Sequence, residues 1–380
     1  LFTNAFVTTS ICCTSRASIF TGQYARRHGI WNFGTHFTPS VLAQTYPMQL
    51  KRAGYRIGFI GKYGVGPKRD LPADKYDYWR GVPGQPRYEH KDKNGNYKHY
   101  TKIVGEQSLE FLQGCSKEQP FCLSVSFKAP HVQDGDPRQF IYDPVYKDLY
   151  KDVEIPRPKT DSLMHYSSLP EFLRDERMEA RRRWQIRFST PEKYQESVKG
   201  YYRLITGVDV VIGKIRKELQ KLDQDQNTVI ILSGDNGFYL AEHGFAGKWY
   251  GHEESIRVPL FIYDPRLPKI QRGQRRPEFA LNIDIAPTIL DLAGVDIPDG
   301  MQGRSLMTLV RGQRIGWRQD FFYEHLFEHQ FQGVNNIPKS EGVVTKRFKY
   351  LRYLEQQPVY EELYDLQNDP HEERNLAKNK

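Results

Sequence analysis

The chain has 380 residues, 38% of them hydrophobic and 27% charged, with a formal net charge of +9 and a pI of about 9.1. That balance supports one large core, or a core with a smaller attached domain, and excludes wholesale disorder. No apolar run approaches the roughly 20 residues of a membrane span, and no basic-aromatic signature of a nucleic-acid module is present; the positive charge fits an anionic substrate or an ordinary solvated surface.

Taken in chain order, Leu1–Val7 reads as the interior of a domain, so the natural N-terminus is expected further upstream. The string Cys12-Cys13-Thr14-Ser15-Arg16 leads into what reads as the first turns of a helix. A cysteine at such a place sits where free N–H groups and the helix dipole favour anions. A short helix is expected over Pro47–Ala53, with Thr45 as cap and Gly54 as stop. Apolar runs at Tyr55–Ile60, Phe121–Phe127, Thr228–Leu232 and Val258–Tyr263 each end in a polar turn. Near-continuous apolar strands indicate a sheet covered on both faces, usually a parallel one.

Residues 132–190 carry no long apolar strand and read as an insertion that shapes a pocket. A long amphipathic helix is expected over Pro191–Leu222, and another from Asp284 as N-cap through Pro287 to Gly294. Arg181, Arg182 and Arg183 beside Glu176 and Glu179 read as a mixed-charge helix surface. Strand-like pieces at Asp320–Tyr323, Glu341–Thr345 and Lys349–Tyr353 suggest a small antiparallel subdomain. The expected architecture is an α/β/α sandwich with a mostly parallel central sheet, divided as 1–312 for the catalytic domain and 313–380 for the subdomain.

In such sheets ligands gather beyond the carboxyl ends of the strands. Three of the runs end there in reactive polar groups: Lys62, His131, and Asp235 with Asn236. Arg16 is placed to return to the Cys12 turn and grip a tetrahedral oxyanion. A bare cysteine on a turn is more often a buried structural residue. Cys115 and Cys122 either pair in an oxidising compartment or serve as small core residues.

The wider string ICCTSRASIFTGQYARRHG changes the odds, since it resembles the signature of the formylglycine sulfatases, within the alkaline-phosphatase-like superfamily. LSGDNG at 232–237, GKWYGHEESIRVPL at 247–260, NIDIAPTILDLAG at 282–294, MQGRSL at 301–306 and LYDLQNDPHEERNLA at 363–377 are similar to sulfatase segments in the expected order. Several motifs in order carry far more weight than one.

The resemblance implies that Cys12, rather than Cys13, is oxidised to formylglycine by a separate maturation enzyme. One oxygen of the hydrated aldehyde attacks sulfur, and the second hydroxyl lets the sulfated intermediate collapse with release of sulfate. Asp235, Asn236 and the modified Cys12 are implied metal ligands, for calcium or alternatively magnesium. Calcium takes six or more oxygens, and the family's remaining carboxylates, an adjacent Asp pair, would lie upstream of Leu1. Lys62, His131 and Lys248 match sulfate-binding and acid–base positions, with His131 the first choice for proton donor. His243 either touches substrate or holds its loop, and Asp209 and Asp284 are expected to cap or pair.

Two positions depart from the pattern: Thr14 replaces Pro or Ala, and Gly64 replaces a His. The leading expectation is hydrolysis of a sulfated carbohydrate in the periplasm or outside the cell, with no nucleic-acid partner and no membrane span. The alternatives are a phosphodiesterase or phosphonate monoester hydrolase of the same superfamily, or a non-catalytic binder of sulfated glycans.

Overall fold

Two groups of strands carry the larger, N-terminal part of the computed structural model, which describes residues 1–313 and 316–377. The first group contains β1 (Phe2–Phe6), β5 (Ile230–Ser233), β6 (Leu260–Tyr263) and β7 (Arg276–Leu281), in the order β7-β1-β6-β5. The second contains β2 (Arg56–Lys62), β3 (Tyr78–Val82) and β4 (Phe121–Ser126), in the order β3-β2-β4. Pairing is parallel for β1 with β7 and for β2 with both neighbours. It is antiparallel for β6 with β5 and with β1, so the sheet is mixed. An apolar run such as VPLFIY fixes burial on both faces but not strand direction.

Helices flank these strands. They are α1 (Cys12–Thr21), α2 (Tyr46–Arg52), α3 (Tyr100–Gln113), α4 (Glu179–Arg187), α5 (Pro191–Lys221) and α6 (Ile285–Leu292). The 31-residue α5 begins where Thr190 accepts a hydrogen bond from the Lys193 N–H at 3.3 Å and Pro191 takes the first turn. Its apolar stripe, with Val198, Leu204 and Val211 buried, packs beside α3. Before α2, Thr45 is not a side-chain cap: its hydroxyl donates backwards to the Leu42 carbonyl at 2.7 Å. Gly294 closes α6 at φ +66°. Asp284, at the head of α6, turns its carboxylate to the Leu281 and Arg304 N–H groups and to Arg318.

Residues 132–190 form no strand, only short helices and α4. Arg181, Arg182 and Arg183 pair with Glu176 and Glu179 as the charge pattern predicts. Downstream, β8 (Asp320–His325), β9 (Ser340–Thr345), β10 (Phe348–Tyr353) and β11 (Tyr360–Asp365) form an antiparallel four-stranded sheet in chain order. The apolar core runs through both regions, joining Phe6, Phe279, Leu281 and Leu306 to Phe321, Val344 and Leu351. No helix among the described residues is long and apolar enough to cross a membrane.

Candidate active site

Cys12 opens α1 directly after Ile11, which is extended at φ −148°. Arg16 lies one turn further along the same helix. A side chain four residues on faces the same side as residue 12, so one short helix supplies both the sulfur and a guanidinium. Lys62 ends β2, Asp235 and Asn236 follow β5, His131 follows β4, and Lys248 lies in the loop after Gly247. These side chains converge at the carboxyl ends of β2, β4 and β5.

Arg16 organises the pocket. Its Nε and Nη2 both bind Oδ2 of Asp235, at 2.9 and 2.8 Å, and its Nη1 donates to the Lys62 carbonyl at 2.8 Å and to Ser126 Oγ. Ser126 in turn donates to the same carbonyl at 2.6 Å. Charge-assisted forks of this kind fix geometry as well as energy. Gly64 makes room for it: a Cβ there would stand 2.8 Å from Arg16 Cδ and 3.4 Å from Lys62 Cε, and its φ is +76°. The missing histidine at position 64 is therefore matched to the path of Arg16.

The two adjacent cysteines differ sharply. Burial pushes the Cys12 thiol up, but Lys62 and Lys248, joined by Arg16 and opposed by Asp235, outweigh it and bring the thiol below its usual value. Burial and the neighbouring Cys12 push Cys13 up to about 12. Of the two thiols, Cys12 is the one biased towards ionisation. Burial also lowers the Lys62 ammonium below the ordinary lysine range, with Arg16 and Lys248 pushing the same way. For Asp235, burial raises the carboxyl while Arg16, Lys62 and Lys248 lower it, and the cations win. The pocket is an excess of cation awaiting an anion.

His131 is held neutral, well below the usual histidine range, by burial and then by Lys248 and Lys62. Its Nδ1 lies 2.7 Å from the Val132 carbonyl. A carbonyl only accepts, so the proton is on Nδ1 and Nε2 carries the lone pair.

The fit to a cation can be judged from the oxygens present. Asn236 donates through Nδ2 to the Gly237 carbonyl at 2.7 Å, while its buried Oδ1 bonds to no described residue. Arg16 occupies only Oδ2 of Asp235. Oxygens from these two consecutive residues are the kind of donor calcium takes, though fewer than the six or more it needs; the residues fit part of such a site.

His243 does not join this pocket. It is fully buried, Nδ1 lies 2.9 Å from His165 Nε2, Nε2 lies 3.5 Å from Glu254, and the ring stacks on His252 at 4.4 Å. Its contacts are with His165, Glu254, His252 and the Thr160 hydroxyl rather than with the cations around Cys12, which favours the loop-holding alternative. The sequence reading also missed Ser126 and His325. His325 ends β8, is fully buried with neither ring nitrogen bonded among the described residues, and is driven down to about 3 by burial, with Lys248 adding to the effect. A His at the end of an alternating strand, far along the chain, gave no local signal. Cys115 and Cys122 are free thiols.

An α/β enzyme whose strand ends cluster cations around a helix-start cysteine is built to hold a tetrahedral oxyanion. Residues 1–295 match the Sulfatase family and residues 241–380 match the family described as N-sulphoglucosamine sulphohydrolase, C-terminal; the chain belongs to the sulfatase family and is a sulfuric-ester hydrolase. It is 25% identical to the N-acetylglucosamine-6-O-sulfatase of Bacteroides thetaiotaomicron, across 99% of this chain and 75% of that one. It is 29% identical to an arylsulfatase of Clostridium perfringens, across 99% and 82%. Among solved structures, one in complex with its substrate D-glucosamine-2-N,6-O-disulfate superposes at a TM-score of 0.79, with 24% identity over 100% of this chain and 86% of that one. The phosphonate monoester hydrolase of Silicibacter pomeroyi superposes at 0.81, with 20% identity over 100% and 84%. At these identities the structural likeness concerns the fold.

Proposed function

We propose that the protein hydrolyses sulfate esters of carbohydrates, with the 6-O-sulfate of an N-substituted glucosamine the first substrate class to try. The observation that carries this reading is the ring of Arg16, Lys62 and Lys248 acting on Cys12, with Asp235 tied to Arg16. The names of the relatives in Bacteroides and Clostridium point the same way. Cys12 is read as the precursor of a formylglycine, made by a maturation enzyme, which supplies an oxygen nucleophile and a built-in route for sulfate release. Asp235 and Asn236 are read as contributors to a calcium or magnesium site whose ion would draw charge from the sulfate oxygens. Action outside the cytoplasm is inferred from an extracellular sulfatase relative of Drosophila melanogaster, 30% identical over 85% of this chain and 30% of that one.

The chain's own groups divide the work. Arg16 and Lys62 hold the sulfate oxygens in place of water, and Arg16 keeps Asp235 oriented. Lys248 carries positive charge to the leaving oxygen. His131, neutral in the resting pocket, meets the bound sulfate's negative charge. That charge offsets the field of Lys248 and Lys62 but not the larger effect of burial, so the donor role requires the ring to take a proton from solvent as substrate binds and to pass it to the departing alkoxide.

The test is production with a formylglycine-generating enzyme, mass spectrometry of the peptide containing residue 12, and assay of sulfate release from 6-O-sulfated N-acetylglucosamine beside a phosphonate monoester and a phosphodiester. An aldehyde at position 12 with preference for the sulfate ester supports the reading. A thiol at position 12 with no sulfate release points to a glycan binder, and preference for phosphorus esters to the superfamily's other chemistry; either overturns it.

A further inference from the structure

Behind the pocket, where the loop after Asn236 meets the C-terminal segment, lies a second group of buried ionisable side chains. His243 is fully buried, Glu372 is 1% exposed, and the Glu254 side chain is 17% exposed. One donor atom from each lies within 4.8 Å of the others. None of the three shares a hydrogen bond or ion pair with Cys12, Arg16, Lys62 or Asp235 among the described residues. We propose that His243, Glu254 and Glu372 form a site for one divalent transition-metal ion, zinc by the chemistry of its donors, that staples the C-terminal segment to the loop behind the active site.

The histidine is the first argument. Its Nδ1 is engaged by His165 at 2.9 Å, and its ring lies flat on His252, at 15° between planes. Its Nε2 makes no hydrogen bond to any described residue and faces Glu254 Oε2 at 3.5 Å. An imidazole whose far nitrogen is held by a polar partner, with the near one aimed at carboxylates, is the usual dress of a metal ligand. With bonds of about 2.0–2.2 Å, a tetrahedral zinc ion sets neighbouring donors roughly 3.3–3.5 Å apart; the 3.5 Å between His243 and Glu254 matches, and the third donor, within 4.8 Å of both, would close in on binding. His243 also sits at φ +57°, a left-handed conformation that a non-glycine residue adopts only when its surroundings hold it there.

The charge count is the second argument. Glu253, Glu254, Glu362 and Glu372 are gathered in this region with side chains 1–17% exposed or fully buried. The lysine and arginine side chains in contact with them are Lys349, 2.8 Å from both Glu253 and Glu372, and Arg257, 2.7 Å from Glu253, while neutral His252 lies 3.6 Å from Glu362. Glu254 has only the histidine as ion-pair partner among the described residues. Fully ionised, four carboxylates against two cations would leave a deficit of two; burial holds Glu362 up at about 8 and Glu372 at about 7, so protons meet that deficit and a dication would displace them. Buried uncompensated carboxylates are otherwise costly. A His with two carboxylates suits zinc better than calcium, which favours an all-oxygen shell.

The experiment is elemental analysis of the intact protein after zinc loading and gel filtration, with affinity read by competition against a chromophoric zinc chelator. About one equivalent of zinc is expected, with a matching rise in the thermal midpoint. Glu372→Gln and Glu254→Gln preserve shape and are expected to weaken zinc at least 100-fold; His243→Ala is the third variant, and the two isosteric ones carry the test should it fold poorly. Glu362→Gln and Asp235→Asn are expected to keep the ion. The proposal is overturned if the wild type retains no zinc, which would mean that Lys349 and protons alone close the cluster. It is equally overturned if Glu372→Gln and Glu254→Gln bind zinc as well as the wild type does.

Discussion

Arg16 offers the sharpest test of the pocket. It makes two contacts with Asp235 Oδ2, at 2.9 and 2.8 Å, and its remaining nitrogen spans the Lys62 carbonyl and Ser126. Its side chain is 14% exposed and that of Asp235 26%. Removing one partner of a fully buried pair costs about 3–5 kcal/mol; the partial exposure of Asp235 discounts that to roughly 2–3 kcal/mol for Arg16→Ala. Arg16→Lys keeps the charge but a single ammonium cannot hold both Asp235 and the Lys62 carbonyl, a loss of about 1–2 kcal/mol. Urea denaturation with a chelator present, so that no metal ion replaces the guanidinium beside Asp235, should order the proteins wild type, Lys, Ala at an unchanged slope. Sulfate-ester hydrolysis by the matured Arg16→Lys protein should fall at least about 100-fold in kcat/KM. If both variants stay within about 0.5 kcal/mol of wild type, a change typical of an inert surface site, then Asp235 is not held by Arg16 and the reasoning fails.

Cys12→Ala should abolish sulfate release while leaving the fold intact by circular dichroism, and Cys13→Ala should lower activity only slightly; the reverse outcome would move the reactive residue one position along. Gly64→His, intended to restore the family's more usual residue, should instead reduce activity, because its Cβ meets Arg16 Cδ at 2.8 Å on a backbone at φ +76°; steady-state kinetics would show it. Arg318→Met strands the fully buried carboxylate of Asp284 with two backbone N–H donors, and urea denaturation should register a loss of about 3 kcal/mol. Burial holds His28 down to about 3. The unfolded chain therefore binds the extra proton below pH 6.5, and stability falls as pH drops. Between pH 7 and pH 5 the His28 share is about 2 kcal/mol; His28→Gln should flatten the stability profile by that much, and an unchanged slope in urea melts at the two pH values would contradict it.

What the sequence made legible follows the physics of range. Apolar runs and caps act locally, so the strand ending at Lys62 and the helix from Pro191 were readable to within two or three residues. Strand direction depends on what lies beside the strand, which is why the antiparallel course of Leu260–Tyr263 was not. Phe2–Phe6 read only as domain interior, and Tyr360–Asp365, rich in Glu and Asp, showed no apolar run although it completes the last sheet. The pocket was legible through motif spacing, including the meeting of Cys12, Arg16 and the 235–236 turn, but the direct pairing of Arg16 with Asp235, 219 positions away, was not. His243 stands in a motif beside the pocket's own and still pairs with His165 and Glu254, in a turn where Ala241, His243 and Gly244 all have positive φ. A motif records which residues belong to a loop, not where each one points.

The shared aromatic cluster between the two halves has a practical reach. Phe321 of β8 meets Phe6 and Phe279 with ring centroids 5.0 and 5.4 Å apart, and the Glu324 N–H donates to the carbonyl of Thr8, four residues before Cys12. A cut near position 312 would therefore not release an autonomous catalytic unit: it would strip the backing from the very turn that presents the reactive cysteine. Anyone shortening this enzyme, swapping its tail for another's or tethering it through its end should expect the chemistry to answer first, before any change in what it recognises.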